Sequence, residues 1–370
     1  MKKLFFYKRI YLIILIPISI ALTLVARNNL YFAENIYAKH IYKGISQPIS
    51  TIFGLVPFSV AEVIIFVFPV ACLIWVIAFI IRLVRFREKR KQIFLKGLLN
   101  ILCLVSVILF LYTMLAGINY YRATFSTYSN LEIRESPEDE LYALTKSLAL
   151  QANEFRDKTT ARDGEGVFQL SLSYYETAAL ANEAFTSLSK EYPILGGSYA
   201  PPKPVMLSRL MSYAEITGIF FPFTTEANVN VDIPDYNIPV TMLHELAHLR
   251  GFMREDEANF IAYLAGMESG NADLNYSSTM LALVIAGNAL YEQNPDLYFS
   301  VRELYSEGVI RDIRANSTYW QQYDDTAVST ISNHINDTYL KANAQEDGVK
   351  SYGRMLDLLL AKFRKDHSEN

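Results

Sequence analysis

A mainly α-helical protein with a small β-sheet, built as a three-span transmembrane anchor followed by a water-facing domain, is the fold class this sequence predicts. Three apolar runs fill the first third of the chain, apolar residues recur at helical spacing through most of the rest, and a stretch near residue 230 alternates like a strand. Of 370 residues, 51% are hydrophobic and 19% charged, a balance that leans toward membrane lipid as a partner. The formal net charge of −4 argues against a nucleic-acid partner for a wholly basic surface.

The first run, residues 10–26, follows Lys2, Lys3, Lys8 and Arg9. A secretory signal peptide has similar basic and apolar regions, but Val25-Ala26-Arg27-Asn28-Asn29 offers no convincing cleavage site, so the run is expected to remain as an anchor. Pro17 within it is a kink that transmembrane helices tolerate. The second run, residues 60–84, has Glu62 near its outer end; the third, residues 98–117, is free of charge. Each is long enough to cross the hydrocarbon core. Both cysteines, Cys72 and Cys103, lie in apolar runs and read as buried free thiols.

Between the second and third runs lie Arg82, Arg85, Arg87, Glu88, Lys89, Arg90, Lys91 and Lys96, a short basic loop expected on the cytoplasmic side. Alternation then places the N-terminus inside, residues 28–59 outside, and everything after Gly117 outside. The expected division is a membrane domain over residues 1–119 and an extracytoplasmic domain over residues 120–370.

In that second domain, helices are predicted over residues 141–156, 170–188, 205–213, 258–267, 279–291, 298–307, 326–340 and 351–363. A loop rich in Gly and Pro covers residues 192–204. Phe220-Phe221-Pro222-Phe223 and residues 227–233 read as extended chain, with a turn over residues 235–239. The apolar run 280–289 is too short for a fourth span and reads as a buried helix.

Chemistry concentrates in His244-Glu245-Leu246-Ala247-His248, an H-E-x-x-H motif that takes two of the chain's five histidines. On a helix, i,i+4 spacing puts both imidazoles on one face, suited to Zn²⁺, with Glu245 beside them as general base for a zinc-activated water. Gly251 can end that helix, and a second helix from about Arg254 carries Glu255-Asp256-Glu257-Ala258-Asn259 back toward it. Glu255 is assigned as the third zinc ligand and Asn259, on the same face, as the group that holds a histidine ring. Asp256 reads as an ordinary acidic residue of a first helical turn, and Glu257 as either another such residue or the alternative third ligand. Ala258 and Ala262 allow the two helices to approach closely.

The pairing of H-E-x-x-H with a downstream E-x-x-x-N resembles the glutamate-ligand zincins. That resemblance implies a zincin-like metallopeptidase domain, zinc bound by His244, His248 and Glu255, and an upstream edge strand that holds substrate backbone. Most of the chain also resembles a bacterial membrane family, the domain of unknown function DUF3810. It does so through the three spans, Pro57-Phe58, Phe221-Pro222-Phe223, residues 244–251 and 255–263, Asp312-Ile313-Arg314 and Ser351-Tyr352-Gly353-Arg354. That likeness implies a multi-pass protein of the bacterial cytoplasmic membrane and supplies no substrate.

The expected function is therefore hydrolysis of an unknown protein or peptide by a membrane-anchored zinc metallopeptidase. The alternatives are a non-catalytic zincin-like receptor or membrane assembly protein, and a structural protein in which the motif is coincidental. Ala227, Asn228, Val229 and Asn230 are the candidate substrate-binding edge, against the alternative of an internal strand with no ligand role. Donors that could stabilise an oxyanion are His334, Arg314, Tyr263, Tyr291 and Tyr352, with no ground for choosing among them. Arg311 and Arg314 are expected to pair with Asp312; His40 and His367 read as surface residues.

Overall fold

The computed structural model describes residues 8–324, 326–343 and 354–368. Among them, three helices are long and apolar enough to cross a membrane: Lys8–Asn28, Val60–Arg85 and Arg87–Leu115. Their regular α-helical parts are α1 (Leu15–Asn28), α3 (Val60–Arg85) and α4 (Arg90–Leu115), with α2 (Lys43–Gly54) between the first two. The chain is thus a multi-pass membrane protein. The expected basic loop shrinks to a turn at residues 86–89, because Arg82 and Arg85 finish α3 while Arg90, Lys91 and Lys96 begin α4. Long cationic stems lie along apolar helix surface while their heads reach water, so helix continues into the charged sequence.

No element was expected between the first two spans, yet a helix occupies it. Residues Phe32–Tyr42 wind as a wide π-type helix that runs into α2. Its buried Ala33, Tyr37 and Tyr42 are spaced by four and five residues, the repeat of a helix wider than α. They pack with Ala26, Ala116, Ile118 and Met253 into an apolar cluster joining the span ends to the rest of the protein.

The remaining α-helices of six residues or more are α5 (Glu138–Lys158), α6 (Tyr174–Leu188), α7 (Ser208–Tyr213), α8 (Asn237–Leu249), α9 (Glu255–Glu268), α10 (Ala272–Gln293), α11 (Pro295–Arg302), α12 (Glu307–Gln321), α13 (Ala327–Ala342) and α14 (Arg354–Ser368). Helix α6 opens on a capping box between Ser173 and Glu176. Helix α10 is buried along most of its length, including Leu274, Tyr276, Met280 and Leu283, and forms the floor beneath α8 and α9. The expected helix start at Ser351 and the candidate Tyr352 lie outside the described residues.

Helix α12 escapes the sequence reading because a charge interrupts its apolar stripe. Asp312, wholly buried, accepts hydrogen bonds from Arg156 Nε at 2.6 Å, Tyr276 Oη at 2.7 Å and the Phe168 N–H at 2.8 Å. Its ion-pair partner is therefore Arg156 on α5, not the neighbouring Arg311 and Arg314; Arg311 turns outward to Glu307. Removing one member of a buried pair strands the other, so Asp312→Ala should destabilise the protein by about 3–5 kcal/mol. Denaturant titration of the detergent-solubilised chain checks this.

Among the described residues the sheet has order β1-β3-β2, with β1 (Lys203–Pro204) parallel and β2 (Gly218–Phe221) antiparallel to β3 (Glu226–Val229). The expectation that Ala227, Asn228, Val229 and Asn230 form an edge is corrected by this order. Strand β3 is central, and Asn230 continues its pairing through an N–H bond to the Thr217 carbonyl at 2.8 Å. Alternation of apolar and polar residues marks a strand without fixing its neighbours, so position in the sheet leaves no mark in the residues. The edge nearest α8 is β2.

Candidate metal centre

Helix α8 carries the H-E-x-x-H motif. Pro239 is its third residue, where a missing N–H costs no intrahelical bond. The helix stops at Gly251, whose φ of +85° is left-handed backbone that favours glycine, and the Gly251 and Phe252 N–H groups bond back to His248 and Ala247 carbonyls. That reversal lets α9 start at Glu255 and pack directly on α8, with Ala258 and Ala262 fully buried at the contact.

His244, His248 and Glu255 meet as a result, each offering a ligand atom within 4.8 Å of the others. His244 Nε2 lies 3.2 Å from Glu255 Oε2, and His248 Nε2 lies 3.7 Å from Glu255 Oε1. Ligand atoms around a tetrahedral ion with bonds of about 2.0–2.2 Å are separated by roughly 3.4 Å, so the spacing fits one small divalent cation. The rings stand perpendicular, centroids 4.6 Å apart, with both Nε2 atoms turned to the carboxylate.

The other ring nitrogens are held. His244 Nδ1 is 2.7 Å from Asn259 Oδ1, and His248 Nδ1 is 2.7 Å from the Phe252 carbonyl. Both partners are acceptors, so each Nδ1 donates and each Nε2 is left as the metal-facing lone pair. Glu257, the rival acidic residue, instead accepts from the Phe125 N–H at 2.9 Å and pairs with Arg254 at 3.0 Å. Asp256 faces Arg354. Replacing Asn259 by Leu should weaken metal binding by about 10–100-fold, read by competition with a chromogenic chelator.

Burial depresses both histidines, but in His244 the Glu255 carboxylate, with help from Glu245 and Asn259, outweighs it and pushes the group up to about 9. For His248 burial wins and the value falls to about 4. With no ion present, the shared proton therefore sits on His244, whose pKa is raised on folding. Metal must displace that proton, so apparent affinity should rise with pH until about 9 and flatten above it. Metal titration at several pH values reads this slope.

Glu245 sits between the triad and β2. Burial raises its carboxyl to about 8, with Glu255 adding to the rise and His244 opposing it. It accepts the Phe220 backbone N–H, while its Oε2 is buried with no hydrogen-bond partner among the described residues. The Asn230-to-Thr217 bond on one side of β3 and the Val205-to-Val229 bond on the other set the ladder's alternation. Gly218 and Phe220 consequently turn their backbone groups away from β3, toward Glu245 and the open side.

Gly218 was not singled out in the sequence, yet its missing side chain makes the room. A Cβ there would fall 2.5 Å from Glu245 Oε1 and 2.6 Å from Thr241 Cγ2. Gly218→Ala should displace the Glu245 carboxylate while leaving metal content, read by elemental analysis, unchanged. Also unforeseen are the groups that fix the end of α8. Tyr42 Oη donates to the Leu249 carbonyl at 3.1 Å, and Arg122 Nη1 to that of Arg250 at 3.2 Å. Arg122 stacks 4.0 Å over Phe252 and pairs at 3.1 Å with Glu34, which also accepts from Tyr128. No motif marks them, because they come from two segments, residues 34–42 and 122–128, both distant in sequence from α8.

Of the oxyanion candidates, His334 is exposed on α13 and Tyr291 is exposed on α10, while Tyr263 lines a cavity with Glu268, Leu359 and Phe363.

Fold and site together define a multi-pass membrane protein with a buried two-histidine, one-carboxylate cluster that could hold a metal ion. The chain belongs to the family described as Protein of unknown function (DUF3810), whose model matches residues 37–360. No curated protein and no solved structure matches the chain.

Proposed function

We propose that this protein is a membrane-anchored, zincin-like zinc metallopeptidase acting on a protein or peptide. The observation that carries the reading is Glu245: a buried carboxylate with a partnerless oxygen, adjacent in sequence and space to a triad of zinc-type donors. A structural site has no need of such a group, whereas hydrolysis requires a base beside the metal.

Zinc, when bound, supplies Lewis acidity for water and for the scissile carbonyl. His244, His248 and Glu255 hold it, and Asn259 and the Phe252 carbonyl fix the rings. Glu245 takes the proton from the attacking water and delivers it to the departing amine. Strand β2 replaces β3 as the place where an extended substrate pairs, through the outward backbone of Gly218.

The domain after residue 119 is assigned to the outside. The domain-side ends of the spans lie opposite the turn at residues 86–89, which is flanked by Arg82, Arg85, Arg90 and Lys91, and such clusters stay cytoplasmic. A reporter fused after residue 370 that proved cytoplasmic would overturn this orientation.

To test the activity, purified full-length protein is incubated with a peptide library and cleavage followed by mass spectrometry. Internal peptide bonds should be cut, chelation should stop cutting, and added zinc should restore it. A zinc-loaded, folded protein that cuts nothing would favour the receptor reading.

A further inference from the structure

Three apolar stretches left uncovered by the rest of the protein lie around the first turn of α3 and the last turn of α4. The turn before that helix exposes Leu55 at 82%; Met206, leading into α7, is exposed at 69% and Leu210 on α7 at 52%. Helix α13 exposes Val328, Ile331 and Ile335, which fall at i, i+3 and i+7 and so share one face.

Polar bonds make these a single surface. Glu62, in the first turn of α3, accepts the N–H groups of Met206 at 2.9 Å and Leu207 at 2.8 Å. Lys203 Nζ donates to the Phe53 and Phe58 carbonyls at 2.7 and 3.1 Å. Tyr213 on α7 packs edge-on against Tyr323, just before α13 begins, and Asn333 of α13 donates to Glu215 at 2.9 Å. At the far end, Asn343 accepts from Tyr112 Oη at 2.6 Å, in the last turn of α4. Helix α13 therefore runs from α7 to the domain-side end of a membrane span.

The level at which α3 begins and α4 ends is the boundary between hydrocarbon and headgroups. Side chains bonded to those helix turns sit in that boundary, where an apolar face is covered by acyl chains and a cation meets headgroup phosphate. Arg209, exposed between Met206 and Leu210, supplies such a cation. In water the same contiguous patch would be unfavourable.

We infer that the turn at residues 55–58, α7 and α13 form a lipid-docking face, seated in the interfacial layer of the bilayer that α1, α3 and α4 cross. Phe220, on the open strand β2, packs against the cluster at the span ends and lies 6.3 Å from the His248 ring. Joined to the hydrolytic reading, on which this consequence rests, the seating makes the substrate a polypeptide attached to or emerging from the membrane.

The test uses the full chain with Cys72→Ala and Cys103→Ala, reconstituted in phospholipid vesicles. A polarity-sensitive fluorophore is placed on a single cysteine at Leu210, Ile331 or, as a control, Leu150, which is comparably exposed on α5. Labels at 210 and 331 should shift to the blue and lose roughly half their emission when the lipids are brominated near the headgroup end of the acyl chain. The label at 150 should keep the emission of a water-exposed dye. Equal, unquenched emission at all three positions overturns the proposal. So does efficient cross-linking between two chains through position 331 with no lipid quenching, which assigns the face to a second copy. The readout needs no catalysis, so the lipid face and the hydrolytic reading stand or fall separately.

Discussion

Glu245→Gln is expected to retain bound zinc while losing hydrolysis by a factor of about 10²–10⁴. The substitution keeps the shape of the side chain and its capacity to accept the Phe220 N–H, and it touches none of the donor atoms of His244, His248 and Glu255. What it removes is the carboxylate that, on the proposed hydrolytic reading, takes the proton. Binding and catalysis should separate cleanly: unchanged metal content by elemental analysis, unchanged thermal stability, and loss of cutting in the mass-spectrometric assay. Retention of full activity would mean that a different group serves as base. Loss of metal would mean that Glu245 is itself a ligand.

Arg122→Met is expected to cost about 3–5 kcal/mol of stability and to weaken metal binding with it. Arg122 and Glu34 are both buried, and their pairing at 3.1 Å is supported by hydrogen bonds from Tyr128 and the Ala123 N–H to the same carboxylate. The guanidinium also caps the Arg250 carbonyl next to Gly251, the residue whose left-handed backbone brings Glu255 under the two histidines. Methionine leaves the Glu34 charge buried without its partner and removes that cap. Adding Glu34→Gln to Arg122→Met should recover part of the lost stability, because the stranded charge is gone. It should recover less of the metal affinity, because the carbonyl cap is still missing. Denaturation curves and chelator competition on the same preparations separate the two effects. A single variant as stable as the parent would show that the pair is dispensable.

The candidate metal cluster was legible in the sequence because the helix repeat brings His244 and His248 together and places Glu255 just beyond a glycine stop. Local geometry determines all three. The spans were legible for the same reason, since apolar length is a local property. What escaped depends on long-range packing. Asp312 belongs to Arg156, far away on α5, and its charge hid the amphipathic pattern of α12. The edge of the sheet fell to β2 because β3 acquired neighbours on both sides, a matter of strand order that four buried residues cannot announce. Gly218 was invisible because its role is an absence, the space it leaves for Glu245. The segment between the first two spans was read only as lying outside the membrane, with no helix expected, yet its Glu34 and Tyr42 secure the very turn that assembles the site.

Elemental analysis of the purified, detergent-solubilised full-length protein decides whether His244, His248 and Glu255 hold zinc. One zinc per chain is expected in the parent protein, and none in a folded His244→Ala/His248→Ala variant. A folded parent chain devoid of zinc after equilibration with the ion, or a double variant that holds as much, would contradict it.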